Sequence, residues 1–201
     1  MPSWTDRLQA LLHRHRRVLL GITGPPGTGK STLSQSIVAE TDGAVYVPMD
    51  GFHLADSELA RLGRLERKGA LDTFDAHGYL ALLQRIRSQR DETVYAPAFD
   101  RDIEQPIAGS IAIKPAHRLI VTEGNYLLDD DDPWPAVRAR LEEVWYVDAD
   151  PEERRRRLVA RHIEFGKSPE QAQAWVRDVD EPNARRIESG RAKADLVLTL
   201  R

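Results

Sequence analysis

Arg17–Ser31 reads RVLLGITGPPGTGKS. The first half, Arg17–Thr23, is a short apolar run rich in branched residues, the pattern of a buried strand. The second half, Gly24-Pro-Pro-Gly-Thr-Gly29-Lys30-Ser31, fits G-x-x-x-x-G-K-[ST] in full. The next residues, Ser31–Glu40, read as a helix with Leu33 and Ile37 on one face. Strand, glycine-rich bend and helix in that order form an anion cradle. Gly27 and Gly29 let successive backbone N–H groups turn inward, and the helix start adds its positive dipole end. Lys30 supplies a mobile charge to the β and γ phosphates, and Ser31 offers a hydroxyl to Mg²⁺. The rival glycine-rich pattern, a dinucleotide fingerprint, fails because its third glycine position is Thr32. The stretch therefore predicts nucleoside triphosphate binding through Gly24, Gly27, Thr28, Gly29, Lys30, Ser31 and Thr32.

Outward from this stretch, short apolar strands alternate with amphipathic helices. Ala44–Pro48, Arg118–Thr122, Val144–Val147 and Leu196–Leu200 read as strands. Leu59, Leu62 and Leu65 suggest one helix, and Tyr79, Leu82, Leu83 and Ile86 a clearer one. Asp132-Pro133 and Asp150-Pro151-Glu152-Glu153 look like helix starts with a capping acid and proline in the first turn. Ser168-Pro169-Glu170-Gln171 repeats that signal. The proline-marked stretch 91–116 reads as loops with one short strand at most. Strands separated by helices mean crossovers, hence a doubly wound, mainly parallel α/β sheet. The 201 residues are expected to form a single domain.

Composition narrows the class. Lys and Arg number 29 against 32 Asp and Glu, a net charge of −3, which argues against a surface devoted to nucleic acid. The charged share of 30% and the hydrophobic share of 41% are those of a globular domain. No run reaches the length of a membrane helix, so no membrane partner is expected. There is no cysteine, which excludes disulfides, a thiol nucleophile and cysteine-ligated metals. The N-terminal residues read as a surface helix rather than a leader, and a cytoplasmic location is expected. Five of the six histidines, at 13, 15, 77, 117 and 162, show no metal-ligand spacing.

Val47-Pro48-Met49-Asp50-Gly51-Phe52-His53 ends the second strand. Ligands of open parallel sheets bind at the carboxyl ends of strands, so Asp50 belongs on the same rim as the phosphate loop. A carboxylate there can take the proton of an attacking hydroxyl. No N-K-x-D base-reading motif exists for a GTPase, and Asp75-Ala-His-Gly78 reads as a loop and helix cap. Two segments compete to end a buried strand near the metal, Leu119–Glu123 and Val144–Asp148.

With GPPGTGKST, PMDGFHL, RKGALDTFD, PAFDR, VTEGNYLL, RRRRLVARH and the tail NARRI–ADLVLTL in order, the chain resembles the P-loop kinases that include uridine kinase, pantothenate kinase and phosphoribulokinase. It is most similar to a bacterial nucleoside/nucleotide kinase branch with members described as fructose-transport-system kinases. The matching pieces run from about Gly21 to the C-terminus. The resemblance implies a nucleoside-monophosphate-kinase-like core with a lid near 151–168. It implies ATP with Mg²⁺, a small hydroxyl-bearing acceptor and Asp50 as the base. It favours Glu123-Gly124 over Asp148 as the metal-side carboxylate. In the lid, Arg154, Arg157 and Arg161 fall on one helix face, and Arg157 and Arg161 are expected to stabilise transition-state charge with Lys30. The expected acceptor contacts are Asp50, His53, Arg67 (or its neighbour Lys68), Phe99, Arg101, Glu123, Asn125 and Asn183, with Ser31 and Glu123 at the metal. Asp100-Arg101 departs from the pantothenate kinase pattern, which leaves that acceptor in doubt. A nucleotide acceptor, a nucleotide-dependent switch without transfer, and a homodimer all stay open.

Overall fold

A computed structural model describes residues 4–89 and 91–200. The chain enters through α1 (Trp4–Arg14), which buries Leu8 and Leu11, and continues into β1 (Val18–Thr23), α2 (Lys30–Ala39) and β2 (Ala44–Pro48). Then come α3 (Asp56–Arg61), α4 (Ala76–Ser88), the pair β3 (Val94–Asp100) and β4 (Gln105–Ile113), and β5 (Leu119–Glu123). Beyond it lie α5 (Trp134–Arg138), β6 (Glu143–Asp148), α6 (Pro151–Glu164), α7 (Pro169–Trp175), α8 (Glu181–Ser189) and β7 (Leu196–Thr199).

Five strands form one sheet in the order β2-β5-β1-β6-β7, every neighbouring pair parallel. Parallel neighbours need crossovers, and the helices that make them cover both faces. Each face has its own apolar core. Along β1, Val18, Leu20 and Ile22 point into one and Leu19 into the other, the period of two that a pleated strand imposes. Gly21 also faces the second core, where a Cβ would come within 2.8 Å of Leu141 Cδ1. Leu119, Val121, Trp145 and Val147 join Ile22, while Ile120, Val144 and Tyr146 join Leu19. A buried chain crosses the sheet, from the Tyr79 hydroxyl and Thr122 Oγ1 (2.6 Å) to the Val47 carbonyl (2.6 Å). No described helix is long and apolar enough to cross a membrane.

Three local expectations fail for identifiable reasons. Segment 91–116 holds two strands, not one: β3 and β4 pair antiparallel. Proline lacks the ladder N–H but is tolerated at irregular edges, and the register shifts between Ala96 and Ala98, around Pro97. The leucines at 59, 62 and 65 do not share a helix. α3 stops at Arg61, and Gly63 turns left-handed at φ +67°. Asp132 does not cap α5. The 132–133 peptide bond is cis, and the helix starts at Trp134 with Pro135 in its first turn. Asp150 does cap α6, accepting from the N–H groups of Glu152 and Glu153, and Ser168 with Gln171 closes a capping box on α7.

Candidate active site

The phosphate loop spans the turn from β1 to α2. Its bend requires glycine at two positions. Gly24, at φ +144°, would place a Cβ 2.3 Å from the Val147 carbonyl oxygen, and Gly27, at φ +82°, 2.9 Å from the Arg154 carbonyl oxygen. Lys30 opens α2, buried, with Nζ donating to the Pro25 carbonyl at 3.0 Å. Burial pushes its ammonium down to about 8 against the opposing pull of Glu123 and Asp50.

Register brings the carboxylates to this loop. Glu123 ends β5, level with Ile22 of β1 on one side and Pro48 of β2 on the other. It therefore stands between the phosphate loop and the turn after β2 that carries Asp50. Ser31 Oγ donates to Glu123 Oε1 at 2.8 Å. Oε2 is buried and has no hydrogen-bond partner among the described residues. Burial first, with Asp50 adding to it, raises the Glu123 carboxyl above the ordinary range, while Lys30, Ser31 and Tyr46 oppose the shift. A hydroxyl beside a carboxylate with one unsatisfied oxygen fits a hard cation such as Mg²⁺, which otherwise takes substrate phosphates and water. The alternative carboxylate turns away: Asp148 pairs with Arg191 at 3.1 Å.

Asp50 sits in a single tight turn, Met49–Phe52. Its Oδ2 accepts from Arg101 at 3.1 Å, and Oδ1 accepts no hydrogen bond among the described residues. His53 follows, its Nδ1 2.8 Å from the Asp50 carbonyl oxygen. Phe99 and Arg101 come from the end of β3 and the turn after it. Asp50 and the phosphate loop line one cleft of about 1170 Å³. His53, Phe99, Arg101, Glu123, Asn125, Asn183, Arg157 and Arg161 line it as well.

The structure separates other expected residues. Arg67 is outside the cleft, held by both Asp72 oxygens at 2.7 and 2.6 Å. Its neighbour Lys68 takes the cleft position, paired with Asp56 at 2.6 Å and 5.3 Å from the Phe99 ring centre. Arg154 is not on the open face of α6. It is 3% exposed, donating to Glu181 at 2.5 Å and to the Pro26 carbonyl at 3.5 Å. Arg157 pairs with Glu153 at 2.8 Å, and Arg161 has no ion pair among the described residues. Thr28 donates to the Pro25 carbonyl at 2.9 Å and braces the loop. Tyr126 is buried against Phe74 and Trp134 and donates to the Gly69 carbonyl at 2.7 Å.

The cleft also contains residues that sequence reasoning missed. His162 and Asp180 pair at 2.8 Å, and Lys167 lies 4.5 Å from the Trp175 ring centre. Asp180 closes a π-helical turn, Val176–Asp180, between α7 and α8. No local motif announces these contacts, although the Phe165-Gly166-Lys167 break in the helical pattern marks where the chain folds back.

Residues 20–176 match the family model described as an AAA domain, AAA_18. The chain belongs to this P-loop family. It is 32% identical over 206 residues to the Schizosaccharomyces pombe protein named "Putative uridine kinase C227.14", covering 96% of this chain and 87% of that one. Among solved structures it is similar to a "putative fructose transport system kinase" from Silicibacter sp. TM1040, with 36% identity, a TM-score of 0.89, and coverage of 98% and 100%. YFH7 from Saccharomyces cerevisiae, described as "a putative P-loop containing kinase with a circular permutation", shares the fold at 19% identity and a TM-score of 0.78, covering 98% and 97%. The chain therefore has a parallel-sheet α/β fold matching P-loop kinase structures.

Proposed function

We propose that this P-loop protein is an ATP-dependent kinase that moves the γ-phosphoryl group onto a hydroxyl of a small molecule. The observation that carries the reading is that Asp50 and the phosphate loop share one cleft, with Asp50 Oδ1 unengaged. Asp50 takes the proton of the acceptor hydroxyl, whose oxygen bonds to the γ phosphorus as the bond to the β–γ bridging oxygen breaks and ADP leaves. Lys30, Arg157 and Arg161 offset the charge on the equatorial oxygens. Ser31 and Glu123 would hold Mg²⁺, which would supply neutralisation of phosphate charge there. His53, Phe99, Arg101, Asn125 and Asn183 wall the acceptor end. Closure of α6 and the turn after it, within 151–168, excludes the water that would otherwise compete as acceptor.

The test is Asp50→Asn in an ADP-release screen across small hydroxyl compounds, alongside direct ATP binding. Turnover is expected to fall by about 10²–10⁴-fold with ATP affinity unchanged. Undiminished turnover would assign the base elsewhere, and ATP binding with no transfer to any acceptor would favour a nucleotide-dependent switch.

A further inference from the structure

The Asp50 carboxylate is held by a single hydrogen bond. It sits just past β2 in a tight turn, half-buried, and the torsion that rotates a carboxylate is soft. Among the described residues only Arg101 donates to it, from Nη2 to Oδ2 at 3.1 Å. Arg101 is itself held in place, because the turn between β3 and β4 that carries it is tied down at both ends. Asp100 Oδ1 accepts from the N–H groups of Asp102 and Ile103 at 2.9 and 3.3 Å. Lys68 donates to the Glu104 carbonyl, and the Gln105 side-chain oxygen accepts from the Asp56 N–H at 3.3 Å. The guanidinium carbon lies 5.7 Å from the Phe99 ring centre, and Phe99 packs on the His53 ring with centroids 4.8 Å apart. Arg101 makes no other ion pair among the described residues.

A guanidinium only donates, and it stays ionised at any working pH. It takes one carboxylate oxygen here and leaves Oδ1 to accept from the reacting hydroxyl. The single contact matters, since a bidentate pair would occupy both oxygens. The geometry points to Arg101 as a positioning residue for phosphoryl transfer: it fixes Oδ2 so that Oδ1 meets the hydroxyl, and it acts through Asp50 rather than on the acceptor. This rests on the kinase reading and deepens it. In phosphoryl transfer the base contributes largely by orienting the nucleophile, so a carboxylate left free to rotate slows turnover more than it weakens binding.

The test is Arg101→Met, which keeps an apolar stem beside Phe99 and removes the donors. ADP release is measured with uridine, with fructose, and with water as the acceptor when no alcohol is added. The variant's kcat is expected to fall by about tenfold or more, with KM for a reacting alcohol changed by less than about threefold and ATP affinity unchanged. Arg101→Lys, which returns a charged donor, should recover part of the loss. Made on top of Asp50→Asn, Arg101→Met should cost less than about twofold, because a residue that acts through Asp50 then has nothing to aim. ATP binding by each variant shows that it is folded, and if Arg101→Met fails that control, Arg101→Ala decides. A wild-type kcat in Arg101→Met, a loss confined to KM, or a loss undiminished on top of Asp50→Asn overturns the inference and leaves the kinase reading standing. An Asp50→Asn protein as fast as the wild type removes the base and its positioning residue together. Wild-type protein that releases no ADP with any of the three acceptors overturns the inference along with the kinase reading.

Discussion

At the scale of single residues, the site is a set of charges held where water solvates them poorly. Lys30 is the clearest case. Its ammonium titrates near 8 in the free protein because burial penalises the charged form. A bound triphosphate favours that form and raises the pKa, so binding above pH 8 takes up a proton. ATP affinity is then expected to fall by up to about tenfold per pH unit above 8, and calorimetry in buffers of different ionisation enthalpy should register the uptake. A flat affinity profile from pH 7 to 9.5 would remove Lys30 from phosphate contact. Glu123 limits the acid side. Its carboxyl is raised, chiefly by burial, and cation binding needs the ionised form, so metal-dependent affinity should weaken as pH drops through that raised value.

At the scale of elements, the seam between the phosphate loop and α6 is what shapes the cradle. The Arg154 carbonyl and Cγ lie 2.9 and 3.1 Å from where a Gly27 Cβ would be, and its guanidinium ties the Pro26 carbonyl to Glu181 at the start of α8. Arg154→Ala leaves the Glu181 carboxylate, itself 19% exposed, without its closest partner. Removing one member of a buried pair costs about 3 kcal/mol, somewhat less here because Arg155 stands 3.5 Å from the other Glu181 oxygen. Urea unfolding should therefore show a loss of about 2–3 kcal/mol with an unchanged m-value, together with weaker ATP binding because the loop loses its brace. A loss confined to turnover would instead put Arg154 at the reacting phosphate. The short helices after α6 need local help as well, and the Ser168–Gln171 capping box supplies it to the seven-residue α7.

At the scale of the molecule, strand order decides function. β5 and β6 flank β1, so crossovers run to both sides of it, and the cleft lies outside its carboxyl end. The phosphate loop, the β2–α3 turn, the β3–β4 pair and the α6–α8 segment all contribute residues to its lining. A ligand that bridges them stabilises the whole native state. Mg-ATP at about 100 times its Kd should add about 2.7 kcal/mol, which for a chain of this size is roughly 5–10 °C in Tm. Differential scanning fluorimetry should show that rise in the wild-type protein and little of it in Lys30→Met. An equal rise in both would locate the nucleotide away from the phosphate loop.

Much of this was legible in Arg17–Ser31 and in the strand–helix alternation, because those signals are local. A glycine-rich bend between a buried strand and a helix has one geometry, and period-two and period-3.6 patterns follow from backbone dimensions. Asp50 could be placed on the rim for the same reason, as the residue just past a strand end. What tertiary structure alone decided are relations between segments far apart in sequence. It set Glu123 rather than Asp148 on Ser31 through strand register, and put Lys68 in the cleft while Asp72 drew Arg67 out of it. It also buried Arg154, and it closed Phe74 and Phe99 around His53. Spacing along a chain says which side chains can share a face, but which of two neighbouring charges faces the cleft depends on packing that no local pattern encodes.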